Sequence, residues 1–194
     1  LESGKVYKNT NDLRYSKIIF MTDQDLDGSH IKGLCINFIS YLWPSLLEIP
    51  EFIGFMNTPI LKASKGNTSF NFYNNGEYEE WKQQNNDGKG FKIKYYKGLG
   101  TSTSKEFKEY FKEKRIVNFE LENNDKVLID KVFNKTKADE RKQWLGCYDR
   151  NEHVDINSKT VTYNDFINKE LIHFSKYDCD RSIPNLMDGL KISQ

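Results

Sequence analysis

Lys17-Ile-Ile-Phe-Met-Thr-Asp-Gln-Asp-Leu-Asp-Gly28 carries a short apolar run into three carboxylates, Asp23, Asp25 and Asp27. A buried strand that delivers alternate acids into a turn, followed at once by a helix, is a way to hold a hard cation. Mg²⁺ takes oxygen ligands at ~2.0–2.1 Å and is usually bound by one or two protein carboxylates plus substrate phosphate. Like charges this close disfavour one another's ionised form, so the spacing demands a cation or strong donors nearby.

Two rival readings fit parts of the pattern. D-x-D-x-D-G also opens an EF-hand calcium loop, which needs an entering helix and a Glu at its twelfth position. Counted from Asp23 that position is Leu34, and the approach Ile18-Ile19-Phe20-Met21 is strand-like, so the calcium loop fails twice. The second rival is an acidic turn whose side chains only cap the next helix, with Gly28-Ser29 near its N-terminus. Beyond the turn, Ile31, Leu34, Cys35, Phe38, Ile39 and Leu42 recur at helical spacing until Trp43-Pro44 stops the run. Strand, acidic turn and amphipathic helix place the carboxylates at the carboxyl end of a strand, where open α/β sheets put their sites.

Met21-Thr-Asp-Gln-Asp-Leu-Asp-Gly-Ser-His-Ile-Lys-Gly33 resembles the acidic motif of the Toprim domain in type IIA DNA topoisomerases, in the eukaryotic rather than the gyrase wording. Tyr95-Tyr-Lys-Gly-Leu-Gly-Thr-Ser102 is similar to that family's second signature. Asp139-Glu-Arg-Lys-Gln-Trp-Leu145, Tyr163-Asn-Asp-Phe-Ile-Asn-Lys-Glu-Leu171 and Arg181-Ser-Ile-Pro-Asn-Leu-Met-Asp-Gly-Leu-Lys191 match further motifs in the family's order, so the resemblance covers nearly the whole chain.

The resemblance implies an α/β fold: a Toprim Rossmann-like sheet flanked by helices, then a helical segment leading into a winged-helix domain. It divides the chain into a connecting arm (1–16), the Toprim domain (17–117), a mostly helical linking segment (118–178) and the start of the winged helix (179–194). It implies a fragment of an ATP-dependent, homodimeric nuclear enzyme that cleaves double-stranded DNA, passes a second duplex and reseals. Mg²⁺ is the implied metal, with Mn²⁺ or Ca²⁺ as substitutes; ATP is implied for another domain. Asp23 and Asp25 are the implied ligands, with Asp27 acting through water or holding the loop. A Glu that completes the family's site lies upstream and has no counterpart here. Arg141, Lys142 and Lys191 are the implied DNA-backbone contacts. Lys97 is a fourth, in a glycine-flanked loop whose glycines permit positive φ and close approach, ahead of a helix N-terminus that favours anions. The family has Pro after the lysine matched by Lys191, whereas this sequence has Ile192. The nucleophilic tyrosine is expected beyond Gln194; Arg14-Tyr15 fits the family's lead-in to the first strand and reads as structural. The fragment alone is therefore expected to be inactive. A Toprim primase or nuclease is the rival enzyme, which should lack the motifs after residue 160. A metal- or DNA-binding module without activity is the rival outside enzymes.

Composition agrees without deciding. The 194 residues can hold one sizeable core or a domain plus part of another. A net charge of +1 means that attraction to nucleic acid must come from local patches. Cys35, Cys147 and Cys179 are far apart with no C-x-x-C pair, which points to a reduced intracellular setting and away from zinc or disulfides. No apolar stretch approaches the ~20 residues of a membrane span, and no signal peptide is recognisable. Leu1 and Gln194 read as cuts through a longer protein. Alternation predicts strands at 58–64, 69–73 and 91–96, with turns at 66–67 and 74–76. A polar loop is expected at 83–90. Thr103 and Glu106 form a capping box for a helix striped by Phe107, Tyr110 and Phe111, and further helices are expected at 125–133, 138–147 and 164–174.

Overall fold

The apolar run before the acids forms β1 (Ile18–Phe20), and the helix after them is α1 (Leu26–Leu42). The structure, a computed structural model, describes residues 1–2, 4–155 and 158–191; Ile192 lies outside the described residues. A 3₁₀ turn opened by Pro44 leads to β2 (Ile53–Met56). Next come β3 (Leu61–Lys65), β4 (Thr68–Phe72), α2 (Asn75–Gln84), β5 (Lys92–Tyr95) and α3 (Ser104–Glu113). The last part holds β6 (Ile116–Glu120), α4 (Asp125–Phe133), α5 (Ala138–Gly146) and β7 (Thr160–Thr162). It ends in α6 (Tyr163–Phe166), a π-helical turn (Ile167–Leu171) and α7 (Ile172–Ser182), joined without leaving helical backbone angles.

Two sheets result. The larger has the order β1-β2-β6-β7; β1 and β2 run parallel, β6 antiparallel to β2, and β7 parallel to β6. The smaller, β4-β3-β5, is antiparallel throughout. Its apolar face, with Leu61, Ala63 and Phe72, packs against Tyr78 and Trp81 of α2. The alternating stretches at 58–64, 69–73 and 91–96 account for that small sheet. β2 escapes an alternation test because it is central and buried at all four positions. Gly54 lets the β6 backbone approach: a Cβ there would sit 2.7 Å from the Val117 carbonyl oxygen. β7 is only three residues long, too short to carry a pattern. The boundary expected between residues 117 and 118 falls inside β6, and β7 joins the same sheet, so strands from both sides of that boundary share one core.

Four expectations change. The segment at 74–76 is no isolated turn: Asn74 caps α2, its side chain accepting from the Glu77 amide at 2.7 Å. The polar stretch after α2 closes through Asn86, Asp87 and Gly88, all at positive φ. In α1 the stripe read from apolar spacing is only partly right: Ile39 is buried and Cys35 and Leu42 are half-buried, but Ile31, Leu34 and Phe38 are exposed. The buried face joins Ile39 to Ser29, Lys32, Gly33 and Ile36. Glycine and serine allow close packing there; a Cβ at Gly33 would lie 3.1–3.3 Å from Phe133 and Leu171. The opening arm is also pinned: Tyr7 is buried in the core, its amide donates to Ser45 Oγ, and Glu2 N donates to its hydroxyl.

Lys32 places a cation in this core. It is 3% exposed, sits 4.3 Å from the Phe55 ring centroid, and pairs with Glu170 of the π-helical turn. Ser29 Oγ donates to the same carboxylate oxygen at 2.6 Å. Removing one partner of a buried ion pair strands the other charge, at about 3–5 kcal/mol, whereas an apolar replacement of both is often neutral. Lys32→Ala is therefore expected to lose about 3–5 kcal/mol in urea unfolding, and Lys32→Met with Glu170→Leu to recover most of it. Equal losses in the single and double variants would contradict this.

Candidate metal and DNA site

The acidic turn lies where β1 ends. Asp25 is the N-cap of α1, with Oδ1 accepting from the Gly28 amide at 2.7 Å. The turn is tight: a Cβ at Gly28 would fall 2.0 Å from the Asp23 carbonyl oxygen. The capping role weighed as a rival thus belongs to Asp25, one residue before the helix, and leaves its second carboxylate oxygen to other partners. Asp27 lies in the first turn of α1, largely exposed, with Oδ1 4.0 Å from Arg181 Nη2.

Asp23 is held differently. Its Oδ1 accepts from the Leu99 amide at 2.6 Å, bringing the Lys97-Gly98-Leu99-Gly100 loop against the acidic turn. Gly98 has a φ of −173°, an extended conformation open to any residue, so positive φ is not the reason for glycine there. The reason is contact: a Cβ on Gly98 would sit 2.5 Å from Asp23 Oδ2. After Gly98 the chain makes a 3₁₀ turn (Leu99–Thr101), and α3 begins only at Ser104. The loop amide that meets a carboxylate therefore comes from Leu99 and not from the α3 N-terminus. Lys97 is exposed beside this junction.

Glu106 fixes the loop from both sides. Its carboxylate accepts from Tyr96 Oη at 2.5 Å before the loop, and from Thr103 N at 2.7 Å and Thr103 Oγ1 at 2.9 Å after it. Lys94 Nζ adds a salt bridge at 2.8 Å. Burial pushes this carboxyl up, but Lys94, the Thr103 backbone, Tyr96 and the Thr103 hydroxyl outweigh it and hold it down at about 2. The Tyr96 hydroxyl is pushed far up by burial and by Glu106, so it stays a donor. The capping box was legible in sequence; its grip on the loop was not, because Tyr96 joins it only through the fold.

Arg141 Nη1 donates to the carbonyls of Lys131 and Asn134, closing the C-terminal end of α4. Lys142 pairs with Asp139 at 3.3 Å, both side chains almost fully exposed. Lys191 is exposed near the end of the described residues. Asp23 and Asp25 offer hard oxygen donors at one strand end, which suits Mg²⁺ bound by one or two carboxylates and completed by water and phosphate. Among the described residues no three His, Cys, Asp or Glu side chains gather into a full cage. No helix among them is long and apolar enough to cross a membrane.

Comparison with known proteins gives a consistent result. A family model described as the C-terminal associated domain of TOPRIM matches residues 56–179. DNA topoisomerase 2 of Arabidopsis thaliana is 48% identical over 200 residues, covering 100% of this chain. DNA topoisomerase 2-beta of Homo sapiens is 48% identical over 216 residues, covering 98%. The chain spans only 14% and 13% of those relatives. The crystal structure of the Plasmodium falciparum topoisomerase II DNA-binding, cleavage and re-ligation domain superposes with a TM-score of 0.84 at 47% identity, covering 95% of this chain and 26% of that one.

The Glu106 network gives a pH signature. A carboxyl at about 2 in the folded chain, against ~4.3 when unfolded, means the folded state binds fewer protons. Its stabilisation is complete above the unfolded value and is lost as pH falls through the folded one, on the order of 2–3 kcal/mol. Acid unfolding of Glu106→Gln should therefore show a flatter stability curve between pH ~4.5 and ~2 than the unaltered chain. Parallel curves for the two would contradict the network.

Proposed function

Since the chain belongs to the family of the C-terminal associated domain of TOPRIM, in the form carried by DNA topoisomerase 2, we propose that it supplies part of the metal site and DNA-contact surface of an ATP-hydrolysing type IIA enzyme. The observation that carries this reading is the junction of the acidic turn with the Lys97–Gly100 loop, which sets two carboxylates and a lysine at the end of β1. Asp23 and Asp25 would hold the metal. Leu99 N–H orients Asp23, the α1 N-terminus orients Asp25, and Asp27 faces Arg181. When bound, Mg²⁺, or Mn²⁺ or Ca²⁺ in its place, supplies Lewis-acid stabilisation of the scissile phosphate and the leaving 3′ oxygen.

Lys97 offers its charge to the phosphate beside the acids. Lys142 and Lys191 add backbone contacts that position duplex DNA without reading sequence. An exposed ion pair such as Lys142–Asp139 is worth little, so exchanging Asp139 for a phosphate costs little. Arg141 is committed to helix carbonyls and contributes charge at longer range. The whole protein is a nuclear homodimer, with the tyrosine nucleophile and the ATP site in other segments, and this segment alone does not cleave.

The test is made in the full-length protein. Asp23→Asn and Asp25→Asn are each expected to lower Mg²⁺-dependent DNA cleavage by at least the ~10–100-fold typical of disturbing a metal site, with duplex affinity unchanged. Normal cleavage by both variants across a Mg²⁺ titration would reduce the turn to a helix cap.

A further inference from the structure

We propose that Lys114, Arg115 and Lys159 form a second phosphate-binding rim for duplex DNA, at the same end of the large sheet as the acidic turn. The proposal rests on the DNA reading above and extends it to residues that reading does not use. The topology sets the placement. β2 runs parallel to β1, so Met56 and Asn57 lie at the acidic-turn end. β6 is antiparallel to β2, with Ile116 opposite Met56, which brings Lys114 and Arg115 to that end. β7 is parallel to β6, with Thr160 opposite Asn118, so Lys159 follows them. With strands ~4.7–4.9 Å apart, three steps from β1 to β7 span about 14 Å. That is about four phosphates of one DNA strand at ~3.4 Å rise each.

These cations face a concavity of about 510 Å³, whose lining includes Asn57, Ser158 and Glu113. Asn57 also lines the larger groove that contains Asp25 and Lys32, so the two hollows are neighbours across that residue. Glu113 is the carboxylate in the lining, and it accepts from Tyr73 Oη at 2.9 Å. Arg115 stacks on the same Tyr73, its guanidinium carbon 3.8 Å from the ring centroid. The stack holds the guanidinium flat without neutralising it.

The charges of this rim are available, as are those of several other surface lysines; what distinguishes these three is that the sheet brings them together on one concavity. Lys62, Lys94, Lys137, Lys169 and Lys176 are each paired with a carboxylate within 3.0 Å. Lys114, Arg115 and Lys159 are exposed and have no ion-pair partner among the described residues. Lys114 is a further anomaly. It ends α3 in the left-handed conformation, at φ 44° and ψ 59°, where glycine or asparagine is favoured. A strained lysine at a helix end, beside two unpaired cations, fits a position kept for its charge.

The experiment is fluorescence anisotropy of the 194-residue chain with a short labelled duplex over a salt series, with folding checked by thermal melting. Each phosphate contact contributes roughly 0.9 to the slope of log affinity against log salt. Lys114→Gly/Arg115→Gln/Lys159→Gln is expected to flatten that slope by roughly two to three, equally on duplexes of different sequence. Lys114→Gly relieves the backbone strain, so alone it should bind more weakly while melting no lower than the unaltered chain. Lys159→Gln alters one exposed side chain and should flatten the slope by roughly one even if the triple variant folds poorly. Binding by the unaltered chain with an unchanged slope in the triple and in Lys159→Gln would overturn the rim and leave the DNA reading intact. No binding by the folded, unaltered chain would remove DNA contact from this segment and the rim with it.

Discussion

A carboxylate oxygen of Asp23 takes its hydrogen bond from the Leu99 amide, 76 positions along the chain. Three acids within five residues cannot be left without donors, and the fold answers each one separately. Asp25 is satisfied by the helix it starts, Asp23 by the loop that follows β5, and Asp27 is left in solvent near Arg181. Gly98 exists for this meeting, since a side chain there would displace Asp23. The small sheet, α3 and the Glu106 network can be understood as what delivers the Leu99 amide to its place.

A second constraint works from below. Glu170 receives both Ser29 and Lys32, residues one turn apart on the buried face of α1, and so ties the start of that helix to the π-helical turn. The wider π turn sits where this carboxylate enters the core. Around it Phe55, Phe119, Tyr163 and Phe166 form a chain of ring contacts with centroids 4.9–5.5 Å apart. Aromatic pairs of this kind add about 0.5–1.5 kcal/mol each beyond their buried area. The acidic turn is therefore clamped by a loop on one side and by its own helix on the other, a rigid support for groups that must not drift.

Much of this was legible in the sequence. The strand, acidic turn and helix announced themselves by order, the capping box of α3 by Thr103 and Glu106, and α4 and α5 by their periodicity. Elements set by tertiary context were not. β2 has no alternation because both faces are buried, and α2 is so polar that its start reads as a turn and no helix is expected there. The outward turn of Ile31, Leu34 and Phe38 on α1 shows why apolar spacing alone misplaces a face: an ion pair and small residues line the buried side. In the candidate site the acids were legible by type and spacing. Their partners were not, because Leu99 acts through its backbone and Glu170 lies 138 positions from Lys32. The charges named from motifs are also unequal once folded, Arg141 being spent on helix carbonyls while Arg115, which no motif named, has no carboxylate partner among the described residues.

The most direct test of the junction is amide hydrogen exchange at Leu99, followed by NMR in the ¹⁵N-labelled chain. A Leu99 amide protected well beyond those of exposed loop residues, with protection lost in Asp23→Ala and core amides unchanged, is the expected result. A Leu99 amide that exchanges as fast as an open loop in the unaltered chain would contradict the account, because the acidic turn and the glycine loop would then not be one unit.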